Sequence, residues 1–402
     1  MTREALSRSA QHTDLAVTHV VAGLGKADGG PSYTVPALSA ALNAAGVSAY
    51  VRCVARAPIG GVATGHLINA VTQHSADKGV TTIMRGCSAL RNALCQDARE
   101  GALLHVHGLW LLPNLYPAWI KMKAPSTRIV HSPRGMLASA ALNISTWKKR
   151  PIWHLWQKSA LQAADCLHAT AMSEYHEIRA LGFTNPVAVI PNGIDVPPPR
   201  EHRAITAHGA GRKTILSLGR LHPKKALDVL VRAWAMVEQR YPDWQVRIVG
   251  PSEGGHDEEL RRLVVALGLE RLIIEGAVYG EDKLAVYRDA DVFALPTRNE
   301  NFGIVVAEAL AAEVPVIATT GAPWPGLELE RCGWWIDHGV EALARALIIA
   351  METDPAELAT MGRRGRAWME RDFIWQRVAT DMSAVYAWLR NDGPRPSTVL
   401  LV

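Results

Sequence analysis

The stretch TRNENFGIVVAEAL, residues 297–310, carries two carboxylates, Glu300 and Glu308, on either side of an Asn-Phe-Gly turn. Two neighbouring carboxylates suit a general acid and base, as in a glycosidase, where the pair flanks one bond on opposite faces. They equally suit hydroxyl acceptors at the two ends of one ligand. The setting favours the second reading. Gly303 lets backbone approach a ligand closely, and a helix is expected from near Phe302. Glu308 would then lie ~9 Å along its axis at ~1.5 Å per residue. The positive N-terminus of that helix favours an anion between the two acids, so one acid would hold a sugar and the other a ribose. The plainer alternatives are an exposed helix residue for Glu308 and a loop acid for Glu300.

A second group lies in LSLGRLHPKKALDVL, residues 216–230, where Arg220 and Lys225 follow a strand and flank a helix start. A planar guanidinium fork and a point charge beside helix N–H groups match a diphosphate; the alternative is a solvated basic cap. GLGKADGGPSY, residues 23–33, is glycine-rich, follows a strand and leads into a helix through Pro31. It suits a phosphate or a sugar hydroxyl, although the dinucleotide fingerprint G-x-G-x-x-G fails at Asp28. His131 and Arg134 in HSPRGML, and His107 in HVHGLW, stand just past first-half strands. Asp289 and Asp291 form a D-x-D that could hold Mg²⁺, but they precede a strand and read as a helix–strand turn. WKKRPIWHLWQK, residues 147–158, mixes Lys148, Lys149, Arg150 and Lys158 with three tryptophans. It fits either an anionic membrane surface or core tryptophans beneath solvated lysines.

The elements that must position these groups alternate. Apolar runs at 16–23, 48–54, 102–108, 127–132 and 187–193 read as strands, with helical patterns between them at 36–45 and 172–181. After a Pro/Gly-rich linker at 196–212, strands resume at 214–219, 245–250, 272–276, 291–296 and 315–319. A helix with Leu227, Leu230, Trp234 and Val237 on one face lies between the first two. Repeated β–helix–β units imply parallel sheets covered on both faces. Two doubly wound α/β domains joined near residue 200 are therefore expected, with ligands at the carboxyl ends of the strands. A last helix over 374–389 carries Val378, Met382, Val385 and Leu389 on one stripe, and the tail NDGPRPSTVLLV is expected to fray.

The chain of 402 residues is 49% hydrophobic and 20% charged, which places it among globular proteins with sizeable cores. Five scattered cysteines without C-x-x-C argue for a reduced, cytoplasmic protein rather than a disulfide framework or zinc site. Neither a signal peptide nor a membrane span is expected. A net charge of +5 favours anionic partners. Nucleic acid is disfavoured, because basic residues with interleaved aromatics occur only at 147–158.

Taken together, Gly29-Gly30, His131 with PRGML, PNGID at 191–195, GRLHPKKALD, the E-x7-E stretch with FG, and VPVIAT resemble the retaining glycosyltransferase family 4 over most of the chain. TTGAPWPGLELERCGWWI, residues 319–336, further resembles members that build bacterial surface polysaccharides. Two departures stand out: Ala226, where the family often has Gly, and Glu313, where Gly commonly precedes the PV segment. The resemblance implies a GT-B architecture of two doubly wound Rossmann-like α/β domains with an interdomain cleft. An acceptor-binding domain would span 1–200 and a nucleotide-sugar-binding domain 201–373, with a helix crossing back from 374 and a tail to 402. It implies transfer of a sugar from a UDP- or GDP-linked donor to a hydroxyl, with retention, and with neither cofactor nor metal. Arg220 and Lys225 would neutralise the leaving diphosphate, Glu308 would take the ribose and Glu300 the sugar hydroxyls. Backbone groups across Asn301, Phe302, Gly303, Ile304 and Val305 would assist at the phosphates, and His131 would face the donor sugar. The acceptor, a saccharide or lipid-linked saccharide, would lie near Gly29, Gly30, Arg134 and His107. The enzyme would be cytoplasmic or peripheral on the inner face of the membrane. A sugar-nucleotide epimerase on the same fold, and a non-catalytic nucleotide-sugar or membrane-surface binding protein, are the alternatives.

Overall fold

Every apolar run expected as a strand forms one in the computed structural model, which describes residues 15–25, 28–55, 70–143, 146–199 and 212–402. Most of the expected linker, at 200–211, and the Lys148 side chain fall outside that description. The strands are β1 Ala16–Val21, β2 Ser48–Ala55, β3 Val71–Ser75, β4 Leu103–His107, β5 Ile129–Ser132, β6 Cys166–Ala169 and β7 Val187–Val189. There follow β8 Lys213–Leu218, β9 Trp244–Val249, β10 Leu272–Glu275, β11 Val292–Leu295, β12 Val316–Thr319, β13 Gly333–Ile336 and β14 Val399–Leu400. Of these, β3, β6, β13 and β14 were not expected. β3 (Val-Thr-Gln-His-Ser) is a partly exposed edge strand without an apolar run. β6 (Cys-Leu-His-Ala) is interrupted by a histidine and β13 (Gly-Trp-Trp-Ile) opens on glycine, so neither reads as a β-branched apolar run.

The described residues divide into two compact units, one of residues up to Gly193 plus Trp375–Val402 and one of Ile194–Ile374. In the first unit the strand order is β14-β7-β6-β5-β4-β1-β2-β3, all parallel except β14 on β7. In the second it is β10-β9-β8-β11-β12-β13, all parallel. β4, β5 and β6 are buried at every position, as expected of strands covered on both faces. Each order reverses once, between β1 and β4 and between β8 and β11. At such a switch point neighbouring connections leave in opposite directions and open a crevice at the strands' carboxyl ends.

The tail is not frayed: β14 pairs antiparallel with β7, through Val399 opposite Ala188. The helix before it, Trp375–Leu389, buries Val378, Met382, Val385 and Leu389 among Leu38, Leu42 and Leu103 of the first unit. The second unit's core gathers Leu227, Leu230 and Trp234 from the helix Leu227–Ala235.

Candidate active site

In the second unit, β8 ends at Leu218 and the chain passes through Gly219 and Arg220 into a 3-10 turn, Pro223–Lys225, before the helix Leu227–Ala235. β11 ends in the loop 296–303, and the helix Ile304–Ala311 follows. These two connections flank the switch point, so the expected donor groups converge. Lys225 Nζ donates to Glu300 Oε1 at 2.6 Å, and the hydroxyl of Thr297 lies 3.3 Å from the same oxygen. The loops are tied to each other by the Arg298 N–H and the Thr297 hydroxyl, both donating to the Lys224 carbonyl. The Glu300 N–H donates to the Gly321 carbonyl, which fixes the turn that presents its carboxylate.

The helix begins at Ile304, two residues later than expected. Gly303 caps it with φ 75°, a left-handed backbone that favours glycine. No side chain caps this N-terminus, so the positive end of the helix dipole is not offset by a capping acceptor. Phe302 contributes backbone only: its ring is buried against Trp324 and Phe373, and the Trp324 indole donates to its carbonyl. Asn301 is half-buried in the same turn. One turn into the helix, Glu308 is fixed at both oxygens, by Lys283 Nζ at 2.6 Å and by the Tyr287 hydroxyl at 2.9 Å. Burial and then the Glu308 charge push the Tyr287 phenol well above its usual value, so it stays protonated and donates. Arg220 is more mobile in its chemistry: its side chain is 64% exposed and pairs with Glu253 at 2.7 Å. Asp289 closes the helix Gly280–Arg288, and Asp291 accepts from the Thr214 N–H, so both serve the helix–strand turn.

In the first unit, polar residues line the carboxyl ends of β1, β4, β5 and β6. His168 Nε2 meets the Ile190 carbonyl and therefore carries the proton, leaving Nδ1 to accept from the Ser132 hydroxyl. Ser132 in turn accepts from His105 Nε2, whose Nδ1 accepts from Tyr386 on the C-terminal helix. A second chain starts at Arg134, which donates through Nε and an Nη to His107 Nδ1 at 3.3 and 3.0 Å. His107 Nε2 then donates to His19 Nδ1 at 2.9 Å, and His19 Nε2 has no partner among the described residues. His19, His105 and His107 bring ring nitrogens within 4.8 Å of one another, the one such grouping among the described residues. Both His105 nitrogens are already bonded, and a guanidinium lies against His107, so this cluster is arranged to share protons rather than to hold a cation.

The His131 ring is buried, its Nε2 donates to the Gly108 carbonyl, and burial lowers its pKa to about 4. The ring is therefore neutral at neutral pH, with its Nε2 proton committed to that carbonyl. His107 is buried likewise and accepts from Arg134. Gly29 and Gly30 precede the helix Pro31–Ala44, with φ 77° at Gly29 and open space where either side chain would stand. Asp28, which breaks the glycine fingerprint, accepts from the Gly25 N–H and pairs with Arg85, so it shapes the loop. In 146–162, helix and π-type turns follow one another. Trp153 packs on Trp110 and Phe183, while Trp147, Leu155 and Trp156 are exposed. No helix among the described residues is long and apolar enough to cross a membrane.

Sequence reasoning missed Thr297, Lys283, Tyr287, Glu253, Asn192 and the histidines of β1 and β6. The signal for the last was present, since a histidine inside an otherwise apolar strand must find a partner.

Residues 199–368 match the family Glycosyl transferases group 1, and residues 29–193 match the Glycosyl transferase 4-like domain. A D-inositol 3-phosphate glycosyltransferase of Kineococcus radiotolerans is 31% identical over 75% of this chain and 75% of its own. A GDP-mannose-dependent alpha-(1-6)-phosphatidylinositol monomannoside mannosyltransferase of Mycolicibacterium smegmatis is 30% identical over 60% of this chain and 67% of its own. Among solved structures, sucrose-phosphate synthase from Thermosynechococcus elongatus superposes with TM-score 0.69 at 22% identity, over 94% of this chain and 99% of that one. Anabaena HepE in complex with UDP and glucose gives 0.71 at 19%, over 93% and 100%.

Proposed function

The chain belongs to glycosyltransferase family 4, with two Rossmann-like α/β domains of the GT-B kind, and from that premise we propose that it moves a sugar from a nucleoside-diphosphate sugar to a hydroxyl with retention of anomeric configuration. The observation that carries this reading is the meeting of Lys225 with Glu300 beside the uncapped start of the helix Ile304–Ala311. Both side chains are about one-sixth exposed, 15% and 16%, so neither is fully satisfied by water. A donor diphosphate takes Lys225 and the helix N–H groups as partners, and the sugar hydroxyls take the Glu300 carboxylate. Arg220, loosely paired at the surface, exchanges Glu253 for phosphate at little cost. Glu308, held by Lys283 and Tyr287, accepts the ribose hydroxyls.

The bond from the anomeric carbon to the diphosphate oxygen breaks as the acceptor oxygen bonds to the same face. The departing phosphate oxygen, carrying the new negative charge, takes the acceptor's proton. Arg220, Lys225 and the helix N-terminus stabilise that charge where it develops, the dominant contribution in such chemistry. No carboxylate base or metal enters this scheme. The donor base is uracil or guanine: HepE was solved with UDP, and the Mycolicibacterium smegmatis relative is named for GDP-mannose. The acceptor is a lipid-linked saccharide of surface-polysaccharide assembly. Exposed Trp147, Leu155 and Trp156, with exposed Arg150 and Lys158, support docking on the anionic inner face of the cytoplasmic membrane.

The test is donor turnover with UDP- and GDP-sugars against a panel of saccharide acceptors, with the product followed by proton NMR. Retained configuration is expected. An inverted anomeric centre would overturn the reaction assigned here.

A further inference from the structure

Arg134 is a cation without a counter-charge. The turn Pro133-Arg134-Gly135 after β5 holds it at φ 58°, a left-handed backbone for a non-glycine residue. Its side chain is thereby aimed along the end of β4, at His107. Of its five N–H groups, two donate to His107 Nδ1 and one to Asn192 Oδ1 at 2.6 Å; both partners are neutral. Among the described residues no carboxylate lies within ion-pair distance. The nearest influential acid, Glu174, is bound to the N–H groups of Gly135 and Thr170 and to the Thr170 hydroxyl. Burial lowers the pKa of Arg134 only to about 10, so it remains charged at neutral pH. The histidines around it are neutral, and Arg134 is itself one cause of that for His19, His105, His107 and His168. A partly buried guanidinium of this kind is costly unless something anionic completes it.

The position of the charge says where that anion comes from. His107 ends β4, and β4 and β1 are the two strands of the first unit's switch point. The other wall of that crevice is the loop after β1. There Gly29 and Gly30 leave open space at the start of the fourteen-residue helix Pro31–Ala44; the N–H groups of Ser32, Tyr33 and Thr34 donate to the Gly29 and Gly30 carbonyls, so this end offers its positive dipole rather than a free N–H. Two N–H groups of Arg134 are uncommitted, and a helix N-terminus stands at the same end of the same sheet. The guanidinium fork supplies donors for an oxyanion, and the helix dipole favours its charge. We infer that the acceptor bound by the first unit carries an oxyanion, a phosphate monoester or a carboxylate, and that Arg134 is the residue that selects it. This rests on the proposed reaction only in calling the ligand an acceptor.

The experiment is thermal unfolding of the full chain during titration with inorganic phosphate at fixed ionic strength, with UDP or GDP held at saturation so that the donor groups are occupied. Phosphate is expected to raise the midpoint by a further increment of about 2 °C at several times its Kd. Arg134→Gln is expected to abolish that increment while leaving the nucleotide's own stabilisation intact. Arg134→Lys keeps the charge without the fork, and is expected to retain less than half of it. If the Gln variant does not fold, the Lys variant and a parallel titration with glucuronate or glucose 6-phosphate decide the matter. In those titrations the increment must again depend on Arg134. An increment that vanishes once nucleotide is saturating, or that survives unchanged in the Arg134 variants, overturns the inference. If neither UDP nor GDP shifts the midpoint, the donor reading fails instead, and phosphate titration of the nucleotide-free chain still tests Arg134.

Discussion

Lys225, Glu300 and Glu308 show how one residue's role is set by what else touches it. Lys225 meets Glu300, whereas Glu308 meets Lys283 and Tyr287, so the two glutamates answer to different partners despite lying on one short stretch. Lys225→Ala is expected to lower kcat by about 100- to 1000-fold, the scale for losing a group aimed at developing charge, with circular dichroism unchanged. Near-normal turnover would remove Lys225 from the diphosphate site. Glu308→Gln is expected to weaken nucleotide affinity about tenfold, as is Tyr287→Phe, which leaves one carboxylate oxygen without its donor. Calorimetric titration with UDP and GDP checks both, and an unchanged Kd in Glu308→Gln would mean that the ribose lies elsewhere. His131 and His107 make the opposite point. Each sits toward a strand end, where ligands bind, yet burial keeps each neutral and its ring protons are committed to internal partners.

At the level of the elements, two departures from the family pattern become physical statements. Ala226 and Glu313, where glycine is usual, both adopt positive φ, at 52° and 63°. A side chain in that conformation costs about 1–2 kcal/mol relative to glycine. Ala226 is buried at the start of the helix Leu227–Ala235, and its side chain makes no polar contact that a glycine would lose. Against that conformational cost stand about 0.8 kcal/mol for the buried methyl and about 0.4–1 kcal/mol for the freedom glycine brings to the unfolded state, so Ala226→Gly is expected to leave stability within about 0.5 kcal/mol of the parent. Urea unfolding measures it, and a variant destabilised beyond that would show that the left-handed turn is compensated by packing. Glu313 has an Arg366 nitrogen 3.8 Å away, so a glycine there also loses that contact.

For the whole molecule, the ends of the chain matter more than their remoteness from the site suggests. The helix Trp375–Leu389 belongs to the first unit's core, and its Tyr386 starts the hydrogen-bond chain that orders His105, Ser132 and His168. A chain ending at Ile374 is expected to lose the first unit's cooperative unfolding transition while the second unit keeps its own; two unchanged transitions by calorimetry would contradict this. Acid sensitivity follows from the same histidines. Burial lowers His19 and His168 to about 3 and His131 to about 4, against about 6.5 in an unfolded chain. Between those values the unfolded chain binds protons that the folded chain refuses. The stability from keeping these rings neutral is therefore complete above about pH 6.5 and is lost as pH falls toward 4. The unfolding midpoint is expected to hold steady from pH 8 to 7 and to drop with growing slope below about 6.5. A midpoint that is flat down to pH 5 would show that these rings are not buried neutral.

The sequence by itself determined the repeated β–helix–β plan and pointed to the strand-end groups Arg220, Lys225, Glu300 and Glu308 on which the proposed donor site is built. All of these depend on local signals: apolar runs, glycine turns and charges at fixed distances from them. Tertiary structure alone decided which charges meet. Lys225 reaches Glu300 across 75 residues, Lys283 reaches Glu308, and Arg134 has no carboxylate partner among the described residues. It also decided that β3, β6, β13 and β14 are strands, because short or half-exposed segments become strands only through a neighbour's backbone. The division is physical. Periodicity and turn chemistry are properties of consecutive residues, whereas pairing, burial and the protonation states that follow from them are properties of residues brought together by the fold.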